Sequence, residues 1–231
     1  MSFHDILHPK TEGGKTIRDI VAIILIVAII GLLLFAISGT WPTLVAIESE
    51  SMEPNIMTFS LAFVVEENRY GGWQTQEEAI ASESNKMFNK YGDVLVYKPN
   101  GMEGVTPIIH RAIKRVTDEE AVAEGYNGGH AGIITKGDNN AIEDQKAEKF
   151  DRYGAVEPVK DEWIVGKALF AIPLIGWVPL NIIKSLLIAV AIVVILEIVS
   201  RIISKNKKKN TASRTEKREQ TRRQQKKKSK Q

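Results

Sequence analysis

The sequence predicts a mainly β domain carrying a helical insertion, flanked by N- and C-terminal transmembrane helices. Three observations lead there: two long apolar stretches near the ends of the chain, a middle segment of short β-branched runs bounded by Gly, Asn or Asp, and a charge sorted by region. Of the 231 residues, 40–180 hold thirteen basic and twenty-two acidic side chains, whereas 201–231 hold fourteen basic and two acidic. A soluble globule with a single core is excluded by that segregation.

Ile20–Ser38 reads IVAIILIVAIIGLLLFAIS, nineteen residues without a charge, and at about 1.5 Å per residue a helix of that length crosses the hydrocarbon core of a bilayer. A cleaved signal peptide is the competing reading, since Ala36-x-Ser38 is a small-x-small pair, but signal h-regions run only about 7–15 residues. The second stretch follows Pro173, Trp177 and Pro179 and settles into Ile182–Ile203. Lys184 stands near one end, where it can snorkel, and Glu197 and Arg201 are spaced to pair on one helix face. A buried or interfacial helix is the alternative.

Residues 204–231 form a basic tail without an aromatic residue, expected to be disordered and, by the positive-inside rule, cytoplasmic. Two spans then put both termini inside, with 1–19 as a cytoplasmic N-terminal segment, 20–38 and 182–203 in a cell membrane, and 39–180 as an external domain. The tail could bind acidic lipid or ribosomal RNA, or merely fix the topology.

Within 39–180 the expected strands are Phe59–Val65, Val94–Tyr97, Pro107–Val116, Gly132–Lys136 and Glu162–Phe170. Thr75-Gln-Glu-Glu is a capping box that should open a helix running to about Asn89, inside an insertion at about 66–93. The chain has no cysteine, which removes disulfides, zinc-thiolate sites and thiol nucleophiles together. Its four histidines, His4, His8, His110 and His130, give little basis for a metal centre, and no cofactor is expected.

Three places carry side chains that chemistry can use. In Glu48-Ser49-Glu50-Ser51-Met52-Glu53-Pro54 two serines flank one residue; a serine hydroxyl needs a neighbouring base to become a nucleophile, and a plain loop with an ST-turn would look the same. His110 lies inside an expected strand, where alternation sets Ile108, His110 and Ala112 on one face and Ile109, Arg111 and Ile113 on the other; a satisfied core histidine would read alike. Lys136-Gly-Asp-Asn-Asn140 is a polar turn with Asp138, and Asp144 follows six residues later. A carboxylate there can accept the Nδ1 proton of a histidine, although Gly-Asp-Asn-Asn is also ordinary turn chemistry.

Together and in this order, SESMEP, IIHRAI, ITKGDNN with its later aspartate, and GKALFAIPLIGW before a final span resemble the type I signal peptidases of the archaeal and endoplasmic-reticulum kind. The resemblance covers the chain from the first span to Trp177. It implies a signal-peptidase-like, mainly β catalytic domain and a serine endopeptidase that uses a histidine where bacterial relatives use a lysine. Ser51 matches the nucleophile, His110 the general base and Asp144 the residue beside the histidine. Asp138 matches a second acidic position, and Ser49 takes the oxyanion-assisting role of bacterial members. Implied partners are the signal peptides of preproteins, membrane lipids and the protein translocation channel, with no specific nucleic acid. The chain departs from the usual pattern at Glu50, where most relatives have glycine, and in the Glu66–Asp93 insertion.

Ser51 lies thirteen residues after Ser38, so at about 3.3 Å per residue it stays within roughly 40 Å of the membrane exit. Trp41, Pro42, Leu44, Val45, Ile47, Met52, Ile56 and Phe59 are expected to supply apolar surface for resting on the bilayer. Two other readings remain at this point: a non-enzymatic anchor whose polybasic tail docks ribosomes or anionic lipid, and an autoproteolytic repressor-like peptidase with a lysine base.

Overall fold

The computed structural model describes residues 12–84, 86–148 and 154–203. His4, His8, most of the N-terminal segment and the basic tail 204–231 lie outside the described residues. The chain divides into two units, 1–180 and 181–231.

The first unit opens with helix α1 (Glu12–Ser38), whose Gly14–Ser38 portion is long and apolar enough to cross a membrane. An antiparallel sheet follows, built from β1 (Leu44–Ala46), β2 (Leu61–Val65), β3 (Val94–Tyr97), β4 (Ile108–Val116), β5 (Gly132–Lys136) and β6 (Ile164–Ile172), in the order β1-β2-β6-β3-β4-β5. β6 therefore enters between β2 and β3, and the two halves of the domain share one sheet. Short helices α2 (Gln76–Ala81) and α3 (Asp118–Ala123) and the turn α4 (Trp177–Leu180) complete it.

The sheet forms where β-branched residues run and stops where turn residues begin. Leu95, Tyr97, Ile108, Ala112, Ile133, Val156 and Val159 make one core cluster, and Ile47, Met52, Ile56, Ala62, Val94 and Ala168 make another. Leu95 and Val94 are successive residues of β3, so alternation sends them to opposite faces and the sheet is packed on both. Ile47, Met52 and Ile56 were expected on the bilayer-facing surface; they are core residues at 2, 0 and 1% exposure. Trp41, Leu44 and Phe59 are exposed as expected, joined by Phe170, Ile172, Leu174 and Val178.

The expected helix to Asn89 is shorter. Thr75 and Glu78 form the reciprocal capping box, but α2 ends at Ala81, and Glu83, Phe88 and Asn89 take positive φ of 48°, 49° and 63°, a conformation no right-handed helix contains. A second capping box, Thr117 with Glu120, opens α3, a helix the strand-dominated reading passed over.

In the second unit, α5 (Ile182–Ile203) is long and apolar enough to span a bilayer, and Arg201 pairs with Glu197 one turn earlier.

Candidate active site

β1 and β2 form a hairpin whose connection, residues 47–60, carries both serines. Ile47 closes its base by exchanging backbone bonds with Phe59 and Ser60. The Glu53 carboxylate accepts from the Thr58 N–H and hydroxyl, which together hold it below the usual carboxylate range. Met52, fully buried among Ile47, Ile56 and Ala62, pins the loop at the residue after Ser51. Glu50 is exposed and is absent from the positive-φ positions, so a residue with a side chain stands there without backbone strain.

Across the sheet, register places three polar residues on one face. Leu95 pairs with His110 and Ala112 with Thr135, and a period of two carries that face to Tyr97. His110 Nε2 lies 2.9 Å from Ser51 Oγ, and Nδ1 lies 2.7 Å from Asp144 Oδ2. Asp144 stands on a 3₁₀ turn, Asp144–Lys146. Its Oδ2 also accepts from Tyr97 OH at 2.9 Å and Thr135 Oγ1 at 2.7 Å. Each hydroxyl has one proton and gives it to the carboxylate. The Thr135 oxygen in turn accepts from Gln145 Nε2 at 3.0 Å. Burial, then the charge of Asp144, pushes the Tyr97 phenol well above its ordinary value, so it stays a donor at any working pH.

His110 and Asp144 are both buried, at 2 and 1% exposure, and Asp144 Oδ1 has no hydrogen-bond partner among the described residues. The carboxylate thus spends its accepting capacity on Oδ2. A proton on Nδ1, donated to Oδ2, leaves the Nε2 lone pair facing Ser51 Oγ. Ser49 Oγ lies 3.0 Å from Ser51 Oγ, so the Ser51 hydroxyl has an imidazole on one side and a second hydroxyl on the other.

The structure separates the two aspartates. Asp144 meets His110. Asp138 meets Arg111, whose Nε and Nη2 fork onto its two oxygens at 2.8 and 2.7 Å, with Asn55 Nδ2 at 2.8 Å from Oδ2. Burial raises the Asp138 carboxyl, but the hydrogen bonds and charge of Arg111, with Asn55 and Lys90, outweigh that and hold it below its ordinary value. Arg111 is itself fully buried and caps the carbonyls of Met87 and Gly92. Asn139 next door donates its N–H to Ser51 O at 2.8 Å and its amide to Glu50 O at 3.1 Å. The Gly137–Asn140 turn therefore grips the loop that carries Ser51 directly.

Arg111, Asn55, Tyr97, Thr135 and Gln145 were not singled out in the sequence. Only Arg111 carried a signal, as a charged residue beside His110 inside an apolar strand. Among the described residues, no group of three or more His, Asp or Glu side chains is placed to hold a metal ion.

No family model matches the chain. It is 26% identical over 154 residues to the signal peptidase complex catalytic subunit SEC11 of Eremothecium gossypii, covering 66% of this chain and 72% of that one. To SEC11 of Scheffersomyces stipitis it is 29% identical over 108 residues, 47% of this chain and about half (48%) of that one. In its motif order and in these similarities alike, the chain resembles the type I signal peptidases of the archaeal and endoplasmic-reticulum branch.

Proposed function

We propose that this chain is a membrane-anchored serine endopeptidase that removes signal peptides from preproteins at the outer membrane surface. The observation that carries it is the relay Ser51 Oγ to His110 Nε2 at 2.9 Å and His110 Nδ1 to Asp144 Oδ2 at 2.7 Å, in a chain similar to SEC11 proteins.

In this reading His110 Nε2 takes the Ser51 proton as Oγ attacks the scissile carbonyl, and Asp144 steadies the imidazolium that forms. The oxyanion of the tetrahedral intermediate accepts from Ser49, whose hydroxyl already sits 3.0 Å from the attacking oxygen. Collapse sends the proton from His110 to the leaving amine and releases the mature protein, leaving the signal peptide as an ester on Ser51. Water, deprotonated by the same imidazole, then hydrolyses the ester and restores Ser51. Asp138 acts at a distance, by holding the turn that grips Ser51. A lysine-base mechanism has less support, because the group at hydrogen-bonding distance from Ser51 Oγ is an imidazole.

The sheet domain with its flanking apolar helices is then a signal-peptidase-like catalytic domain with an insertion near 66–93, multi-pass, external, and with both termini cytoplasmic. The exposed Trp41, Leu44, Phe59, Phe170 and Leu174 suit a domain that rests on lipid, where substrates arrive from the translocation channel by two-dimensional diffusion. Deleting 205–231 and assaying precursor cleavage tests the reading against the polybasic-anchor alternative. Cleavage should survive the deletion. Loss of the chain's effect with the tail, and no cleavage by the intact chain, would contradict it.

A further inference from the structure

The end of α1 is not a free linker. A helix leaves its last four carbonyls without partners inside the helix, and here the first is taken by the next backbone N–H along the chain and the other three by donors from residues 66–70. Phe35 O accepts from Gly39 N–H at 2.8 Å and Ser38 O from Glu66 N–H at 2.9 Å. Ala36 O accepts from Arg69 Nη2 and Ile37 O from Tyr70 OH at 3.0 Å. Gly39 takes φ of 74°, and a Cβ there would stand 2.6 Å from Arg69 Nη1, so the guanidinium lies against the helix exit. Its charge also meets the negative end of the helix dipole.

The same segment is fastened to the sheet. Lys167 on β6, 3% exposed, donates Nζ to the carbonyls of Gly71 and Gly72. Thr40 Oγ1 donates to Val165 O at 2.7 Å, and Ser38 Oγ, buried, lies 3.1 Å from Thr43 Oγ1. The segment from Glu66 to Gly72 thus bridges the last turn of α1 and the strand that runs through the middle of the sheet.

We propose that Glu66–Gly72 is a clamp that locks the catalytic domain onto its membrane anchor, and that Arg69 and Tyr70 thereby decide which bond of a membrane-embedded substrate reaches Ser51. This rests on the protease reading above. A substrate held in the bilayer presents its peptide bonds at fixed heights. A rigid joint fixes the height of Ser51, which follows α1 by thirteen residues, and only one bond is then level with it. A loose joint lets the domain tilt and brings neighbouring bonds into range. Arg69 and Tyr70 are positioning residues, with no part in bond cleavage.

The test uses the double substitution Arg69→Ala, Tyr70→Phe in the full chain, reconstituted in vesicles. Because the chain has no cysteine, spin labels can be placed at Leu33→Cys on α1 and Val122→Cys on α3, both exposed. The interspin distance distribution should be narrow in the parent and broad in the double variant. A vesicle-embedded preprotein should give one new N-terminus with the parent and several with the variant, while a water-soluble peptide bearing the same site is cut within about twofold of the parental rate. Equal distance distributions, or an unchanged single N-terminus, would overturn the proposal. So would parallel losses on soluble and embedded substrates, which would mark a damaged fold. A parent that cuts neither substrate overturns the protease reading and the specificity role with it, while the label distances still report the clamp.

Discussion

His110 and Arg111 are neighbours on β4 that serve one loop from opposite faces of a strand. His110 Nε2 reaches Ser51 Oγ at 2.9 Å. Arg111 forks onto Asp138, whose turn holds the Ser51 carbonyl through the Asn139 N–H at 2.8 Å. One strand thus supplies the imidazole beside Ser51 Oγ and the anchor for the backbone that carries it, the base and its support in the proposed protease. The two aspartates inherit this division, which gives the substitutions below distinct expected signatures.

Asp144→Asn should keep the fold and lose turnover on the order of 10³–10⁴-fold, because an amide presents the wrong partner to Nδ1 and stabilises no imidazolium. Thermal melting and single-turnover cleavage in the same detergent check it. An active Asp144→Asn would move the orienting role elsewhere.

Asp138→Asn should lower stability by about 3–5 kcal/mol, since a buried guanidinium loses its counter-charge, with activity falling alongside. The folded carboxyl lies below its ordinary value. Its contribution is therefore complete above the unfolded value of about 4 and fades as pH falls through the folded one. The melting-temperature gap between parent and Asp138→Asn should be widest near neutral pH and narrow below about pH 4. A gap that is constant with pH would contradict the ion-pair role.

Tyr97→Phe removes one of the three donors to Asp144 Oδ2 while keeping the buried ring. A hydrogen bond to a charged group contributes about 1.5–3 kcal/mol, so kcat should fall roughly tenfold or more with KM unchanged. A raised KM with kcat intact would place Tyr97 in substrate binding instead.

Gly137→Ala probes the grip on the nucleophile loop. A Cβ at residue 137 would stand 2.7 Å from both Ser51 O and Asn140 Nδ2, and such overpacking costs about 1–3 kcal/mol. Because the strain falls on the backbone that presents Ser51, turnover should drop more than melting temperature does. Unchanged kinetics would show that the turn does not position Ser51.

The strands were legible in the sequence because β-branched runs bounded by turn residues are local signals, and Val94–Tyr97 and Gly132–Lys136 fall where that pattern places them. β1 is only three residues long, too short for a period of two to register. The helix end at Ala81 was illegible because positive φ at Phe88 and Asn89 is set by tertiary packing: Phe88 packs on the Ile47–Met52 cluster and its carbonyl accepts from Arg111. Ile47, Met52 and Ile56 misled for a related reason, since an apolar residue in a loop looks the same whether it faces lipid or core. The serine, histidine and two aspartates could be picked out by motif order. Tyr97 and Thr135 could not, since as a tyrosine ending VLVY and a threonine within GIITK they read as ordinary strand residues until register sets them beside Asp144.

The most direct measurement compares the parent and Ser51→Ala on one preprotein in vesicles and identifies the new N-terminus by mass spectrometry, with Ser49→Ala alongside. The account predicts cleavage after a small-x-small pair by the parent and none by Ser51→Ala. Ser49→Ala should retain a measurable rate reduced on the order of 10²–10³-fold, as for one lost oxyanion donor. Full cleavage by Ser51→Ala would contradict it.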